Sequence, residues 1–250
     1  MTSLSADGDV ALVTGATSGI GAATAAALAD QGAHVLVAGR NASRGADVVS
    51  AIRARGGKAD FVAADLHDAD SARQLARRAV ELGGGRVDIL VNNAGVGAFK
   101  PTAEVTEEEF DSLYAVNVKA SYFLVAALAP GMAARGAGAI VNVSTQVAAY
   151  GAPGMSLYGS SKAALNLLTK AWAAEYGPQG VRVNAVALGP TRTEGTASMG
   201  EGLDRLAAQA PAGRPATPDE VASAIVYLAG AAASFVQGVV LPVDGGRTAV

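Results

Sequence analysis

Thr14 to Gly21 read TGATSGIG, between a short β-branched run, Val10 to Thr14, and an alanine-rich helical pattern. A strand that breaks into glycines and then enters a helix is a phosphate-binding turn in outline. Glycine without a Cβ lets backbone N–H groups approach a pyrophosphate, and the following helix presents its positive dipole end. Glycines also serve ordinary tight turns, so the position after the first strand carries the inference. Gly15, Gly19 and Gly21 are separated by three residues and then by one, a different spacing from the GxGxxG of the general dinucleotide fold.

Outward from this turn, β-branched runs alternate with longer helical patterns. Strands are expected near Val10 to Thr14, His34 to Ala38, Ala59 to Ala63, Val87 to Asn92, Ala139 to Ser144, Val181 to Val186 and Val239 to Val243. Such alternation implies parallel strands joined by crossover helices. The expected fold is α/β: a Rossmann-like, doubly wound, seven-stranded parallel sheet with helices on both faces, in a single domain over 1–250. Thr106 with Glu109, and Thr217 with Pro218 and Glu220, place a capping hydroxyl three residues before a carboxylate and mark two helix starts. Between Pro190 and Pro215 the chain is rich in Gly, Thr and Pro with a weak helical pattern, which predicts a mobile flap, 191–213, over a site.

Composition narrows the partners. The chain has 250 residues, half of them apolar, and a net charge of −3 with its Lys and Arg scattered, so no electrostatic footprint for nucleic acid or anionic membrane is present. Cysteine is absent and His34 and His67 stand apart from any ligand cluster, so no metal site is expected. The apolar stretch Tyr122 to Ala134 is interrupted by Pro130 and Gly131 and is too short to span a bilayer. Asp7 and Asp9 stand where a signal peptide would carry basic charge, and a cytoplasmic location is expected.

The end of the second strand reads VAGRN. An acid there would accept from a ribose 2′-OH and repel a 2′-phosphate, whereas Arg40 could pair with the phosphate bidentately, so NADP(H) is favoured over NAD(H). Ser18, in the turn, supplies no second cation. Farther along, SLYGSSKAAL puts Tyr158 and Lys162 four residues apart, on one face of a helix. A phenol with pKa near 10 is a poor base at neutral pH. A neighbouring ammonium would favour the phenolate, and Lys162 could also hold ribose hydroxyls. NNAG, Asn92 to Gly95, closes the fourth strand, and Ser144 and Thr145 close the fifth, at the strand ends where parallel sheets bind ligands. Asn117 lies inside the helix that starts after Thr106, where its amide either satisfies helix backbone or holds a water.

Taken together, the TGATSGIG turn, Asp65-Leu66, NNAG, Asn117, YGSSK and the closing LPVDGG resemble, in order and spacing, a short-chain dehydrogenase/reductase of the single-domain type. The resemblance covers nearly the whole chain. It implies an NAD(P)-dependent enzyme that moves a hydride between cofactor and a small carbonyl or alcohol. It implies cofactor contacts from Gly15, Thr17, Ser18, Gly19, Ile20 and Gly21, with Asp65 and Leu66 at adenine. Asn92, Ala94 and Gly95 would line the ribose and sheet, and Gly189, Thr191 and Thr193 the nicotinamide or diphosphate. Tyr158 would be the acid/base, with Lys162, Asn117 and a Ser or Thr hydroxyl completing a tetrad. The family's serine usually stands thirteen residues before the tyrosine, where this chain has Thr145, with Ser144 one residue earlier. Its usual Pro-Gly after the sixth strand is Leu188-Gly189 here, a change the turn is expected to tolerate.

Within that class the expectation is a general ketone or alcohol reductase, with a 3-oxoacyl-[acyl-carrier-protein] reductase as the alternative. Carrier-protein reductases place basic residues at two long-helix ends, where this chain has Gly136 and Gln179 with Arg135 nearby. A non-catalytic cofactor-binding regulator on the same fold would tolerate damage at Tyr158, Lys162 or Asn117, and all three are intact. Two helices, near Thr106 to Arg135 and Leu157 to Gly177, carry more apolar surface than one sheet face needs, and a homotetramer is expected.

Overall fold

The computed structural model describes residues 6–250. Seven parallel strands form one sheet in the order β3-β2-β1-β4-β5-β6-β7. They are β1 Val10–Thr14, β2 His34–Gly39, β3 Lys58–Ala63, β4 Ile89–Asn92, β5 Gly138–Thr145, β6 Val181–Leu188 and β7 Val240–Val243. Each begins and ends within two residues of its expected position. The helices are α1 Gly19–Asp30, α2 Ala42–Ala54, α3 Ala69–Leu82, α4 Glu107–Tyr114, α5 Ala120–Ala134, α6 Ser156–Tyr176, α7 Glu201–Ala207 and α8 Pro218–Ala229.

Side chains alternate across each strand, so one sequence supplies two cores. On one face Ala11, Val13, Val35, Val37, Val91 and Val141 meet Leu28 of α1 and Ile225 of α8. On the other, Leu12, Leu36, Leu90 and Ile140 meet Leu75 of α3, Leu124 of α5 and Leu165 of α6. Chain direction through the sheet reverses between β1 and β4, and that switch opens a crevice beyond the strands' carboxyl ends.

Both expected capping boxes form. The Glu109 amide donates to Thr106 Oγ1 at 3.2 Å while the Thr106 amide donates to Glu109 Oε2 at 2.9 Å. Thr217 and Glu220 repeat the exchange, and Arg214 forks onto Glu220 at 2.6 and 2.9 Å, which holds that carboxyl down at about 2. Pro130 does not end its helix. α5 runs through it to Ala134. The ring removes one amide donor, but buried Leu128, Ala129 and Met132 anchor the turns around it. The helical run 107–134 is long and apolar enough to cross a membrane, yet half of its apolar window is buried against the rest of the fold.

The segment after β6 is more ordered than its composition predicts. A 3₁₀ stretch, Glu194–Met199, leads into α7, whose Leu203 and Ala207 are buried. Thr193 and Thr196 cap the stretch, and Arg192 reaches Asp204 at 2.6 Å.

Candidate active site

The phosphate turn and the NNAG segment are built as one unit. Gly15 and Gly19 adopt positive φ, +63° and +52°, which glycine reaches without strain. A Cβ on Gly15 would lie 2.9 Å from Ala94 Cα, and one on Gly21 would strike the Gly15 carbonyl. That closeness is held by Thr14 and Asn93. Thr14 Oγ1 accepts from the Asn93 and Ala94 amides, both at 3.0 Å. Asn93 Nδ2 donates to the Thr14 carbonyl at 2.8 Å and the Gly15 carbonyl at 3.1 Å. Thr14 closes β1 and Asn93 directly follows β4, on the two sides of the switch point.

The donor set suits the pyrophosphate of a dinucleotide. α2, α3, α4 and α8 are capped by Asn41, Asp68, Thr106 and Thr217. Ser18, at the start of α1, makes no side-chain cap and no acid stands in the first turn, so that helix end keeps amides and positive dipole for an anion. Gly39 ends β2 because a Cβ there would lie 2.6 Å from Thr17 Cγ2. Arg40 follows on the surface, with no side chain paired to it among the described residues. Ile20 is half-buried against the core, the Asp65 side chain is exposed, and Leu66 is buried.

Asn92 turns away from the crevice. Its Nδ2 donates to Asn142 Oδ1 at 2.8 Å, and Asn142 passes the chain on to Thr169 on α6 at 2.8 Å. A line of buried amides therefore ties β4, β5 and α6 beneath the site, with Ala94 and Gly95 left at its mouth. Gly95 leaves room for Lys162, since a Cβ there would lie 3.1 Å from Nζ.

Tyr158 and Lys162 stand one turn apart on α6, beside the carboxyl end of β5. Ser144 and Thr145 pair in register with Ala187 and Leu188 of β6, so β5 stays regular and the two hydroxyls face opposite ways. Ser144 Oγ points to the α6 backbone, 3.4 Å from the Lys162 carbonyl. Thr145 stands beside the Tyr158 side chain, and its Oγ1 donates to the Leu188 carbonyl at 3.4 Å. Burial pushes the Tyr158 phenol above its ordinary range, and the Thr145 hydroxyl draws it partly back. Lys162 is 3% exposed and donates to the Val143 carbonyl at 2.8 Å. Burial lowers its ammonium to about 8.

Asn117 is fully buried, and its amide meets backbone outside its own helix. α4 and α5 are joined by a π-helical turn, Ala115–Lys119, that carries it. Its Oδ1 accepts from the Val96 amide at 2.9 Å while its Nδ2 donates to the Val96 carbonyl at 2.9 Å and to Ser161 Oγ at 3.1 Å. It thus clamps the segment after NNAG onto α6, next to Lys162. Ser161, absent from the sequence reading, donates on to the Tyr158 carbonyl at 2.7 Å.

The far wall comes from β6. Gly189 lies against the end of β7, where a Cβ would approach Asp244 Cα to 2.8 Å, and its amide donates to the Val243 carbonyl at 3.0 Å. Leu188 therefore replaces proline without opening the turn. Thr191 is buried, and Thr193 closes on the phosphate turn, its Cβ 3.3 Å from where a Gly19 Cβ would stand.

A doubly wound sheet with a glycine turn at its switch point, and a Thr-Tyr-Lys cluster beside it, defines an oxidoreductase that works with a nicotinamide cofactor. A family model described as "Enoyl-(Acyl carrier protein) reductase" matches residues 15–248. The chain belongs to the short-chain dehydrogenase/reductase family and is an oxidoreductase of it. It is 41% identical to the D-threitol dehydrogenase of Mycolicibacterium smegmatis, over 97% of this chain and 94% of that one. It is 36% identical to the 3-oxoacyl-[acyl-carrier-protein] reductase of Thermotoga maritima, over 96% of this chain and 98% of that one. A solved gluconate 5-dehydrogenase from Burkholderia cenocepacia, in complex with NADP and tartrate, superposes with a TM-score of 0.92 at 33% identity, covering 99% of this chain and 98% of that one.

Proposed function

We propose that the protein interconverts a small ketone and its secondary alcohol with NADP(H), and that Tyr158 is the acid/base. The observation that carries this reading is the Thr145 hydroxyl beside Tyr158, one helical turn from buried Lys162. When bound, the cofactor supplies or accepts the hydride. The Thr145 hydroxyl donates to the carbonyl oxygen, as an oxyanion donor does. Tyr158 Oη gives that oxygen its proton in reduction and takes it back in oxidation. Lys162, charged below about 8, recharges Tyr158 and holds ribose hydroxyls, and Asn117 keeps the strand-end loop and α6 at fixed spacing around it. Ser144, turned to the α6 backbone, is structural.

At the other end, the turn Gly15 to Gly21 and the uncapped start of α1 hold the pyrophosphate, Asp65 and Leu66 border the adenine, and Ala94 and Gly95 the ribose. Gly189, Thr191 and Thr193 border the nicotinamide side, with 191–213 as the substrate flap. Arg40 takes the 2′-phosphate, so NADPH binds at least about tenfold tighter than NADH, and Arg40→Asp reverses the order. Exposed Phe110, Tyr122 and Leu167 on α4, α5 and α6 support burial between copies of the chain in a homotetramer. A cytoplasmic location accords with the absence of cysteine.

The carrier-protein reading is weaker on one observation. Arg135, the cation near the helix end, is already committed to the Val87 carbonyl at 2.7 Å and to Asp88 at 3.3 Å. Following NADPH consumption over ketones, diketones, sugars, steroids and 3-oxoacyl thioesters tests both readings. No turnover on any carbonyl would refute the proposal, and a carrier-bound thioester outrunning every free ketone would replace it by the alternative.

A further inference from the structure

One ion pair crosses from the adenosine side of the crevice to the flap. Arg44 Nη1 lies 2.9 Å from Glu194 Oε2, with both side chains more than half exposed. Arg44 sits in the first turn of α2, where its amide donates to Asn41 Oδ1 at 3.0 Å, and so one helical turn beyond Arg40. Glu194 directly follows Thr193, which rests against the phosphate turn at Gly19. The carboxylate is therefore held beside Arg44, one helical turn from Arg40 at the end of β2.

We propose that Glu194 is a specificity-determining residue that competes with the 2′-phosphate for Arg44. The inference rests on the assignment of the 2′-phosphate to Arg40. A phosphate monoester carries nearly two negative charges and forks with guanidinium groups, so Arg44 is a second cation for it beside Arg40. While Arg44 is paired to Glu194, that cation is neutralised and a negative charge stands close to the phosphate. Both effects weaken NADPH and leave NADH, which lacks the phosphate, largely untouched. The flap thereby sets how strongly the enzyme prefers one cofactor over the other.

Fluorescence titration of NADPH and NADH against the intact protein tests this through the ratio of the two dissociation constants, which cancels any effect common to both. Glu194→Gln should raise the preference for NADPH about two- to fivefold, the range of an exposed ion pair, and Arg44→Gln should lower it by a similar factor. The Glu194→Gln change should gain less in the Arg44→Gln background than in the wild type, because only the repulsion is then relieved and no Arg44 is left to release. An unchanged ratio in Glu194→Gln, including equal weakening of both cofactors, would make the pair a simple clasp and overturn the proposal. Arg40→Ala separates the two readings. If it leaves the ratio unchanged, the 2′-phosphate assignment fails, whereas a fall there with no response at Glu194 refutes only the competition.

Discussion

Replacing Lys162 by methionine should make the protein more stable while making it a poor enzyme. The side chain is 3% exposed, no carboxylate pairs with it, and burial alone lowers its ammonium from 10.5 to about 8. At about 1.36 kcal/mol per pKa unit, keeping that charge at pH 7 costs the folded state roughly 3 kcal/mol. Methionine has a similar unbranched stem and no charge, but it leaves the Val143 carbonyl without a donor that contributed about 1 kcal/mol. The net expectation at pH 7 is a gain of about 2 kcal/mol, some 4 to 8 °C in Tm for a chain of this size. The pH dependence gives the stricter test. Between about 8 and 10.5 the unfolded chain holds a proton on Lys162 that the folded chain has released, so wild-type stability rises with pH through this window. The variant lacks that contribution, and its advantage should shrink by about 2 kcal/mol from pH 8 to pH 10. Denaturant unfolding of both proteins at matched concentration measures the difference curve. Parallel curves across that range would refute the burial argument, whatever the offset between them.

Tyr158→Phe should lower kcat by about 10² to 10⁴ and leave NADPH binding intact, as read by single-wavelength turnover and fluorescence titration. Thr145→Val should lower kcat by about 10² while Thr145→Ser keeps most activity and Ser144→Ala does little, because only Thr145 faces Tyr158; the reverse order would move the oxyanion donor to Ser144. Reduction should lose kcat/KM as pH rises through about 8, where Lys162 gives up the proton it passes to Tyr158, and Lys162→Met should abolish that limb of the profile. Gly21→Ala should cost about 1–3 kcal/mol and most cofactor affinity, because its methyl meets the Gly15 carbonyl and the Asn93 amide; a melt and titration like wild type would show that the turn can relax.

Some of this was legible from residue type and spacing, and the rest depended on partners distant in sequence. The glycine turn, the Tyr158 and Lys162 pair and two capping boxes are local, so their chemistry could be read within a few residues. Regular alternation along β5 also puts Ser144 and Thr145 on opposite faces, once the strand is known to run straight to its end. Asn92 was expected to line the ribose and sheet; its amide meets Asn142 within the sheet, fifty positions away, and no pattern near either residue announces the pairing. Thr14 and Asn93 were hidden the same way. Their bonds join two strand ends, β1 and β4, that are neighbours only because of the crossover. The order in 194–207 escaped notice because two short pieces held by Leu203, Ala207 and an exposed ion pair leave little periodicity to detect. Burial raises the Tyr158 phenol and lowers the Lys162 ammonium, and neither direction could be read from a four-residue spacing.

The π-helical turn at Ala115–Lys119 makes the site sensitive to length as well as to chemistry. Such a turn accommodates one residue more than an α-helix would, and each residue advances an α-helix by about 100°. Deleting Val118 would let α4 and α5 fuse into one regular helix, with better backbone geometry than before. Because the wide turn already absorbs the extra residue, α4 and α5 would keep their faces, and only the residues inside the turn would rotate, by up to about 100°. With the buried stripe of Leu124, Leu128 and Met132 fixed in the core, the rotation would fall on Asn117 and carry its amide off the Val96 backbone. A helix improved by ordinary standards would then leave the Lys162 pocket without one wall. In this segment a conservative substitution is a smaller change than the loss of a single residue, and drift that preserves composition but not count would silence the enzyme.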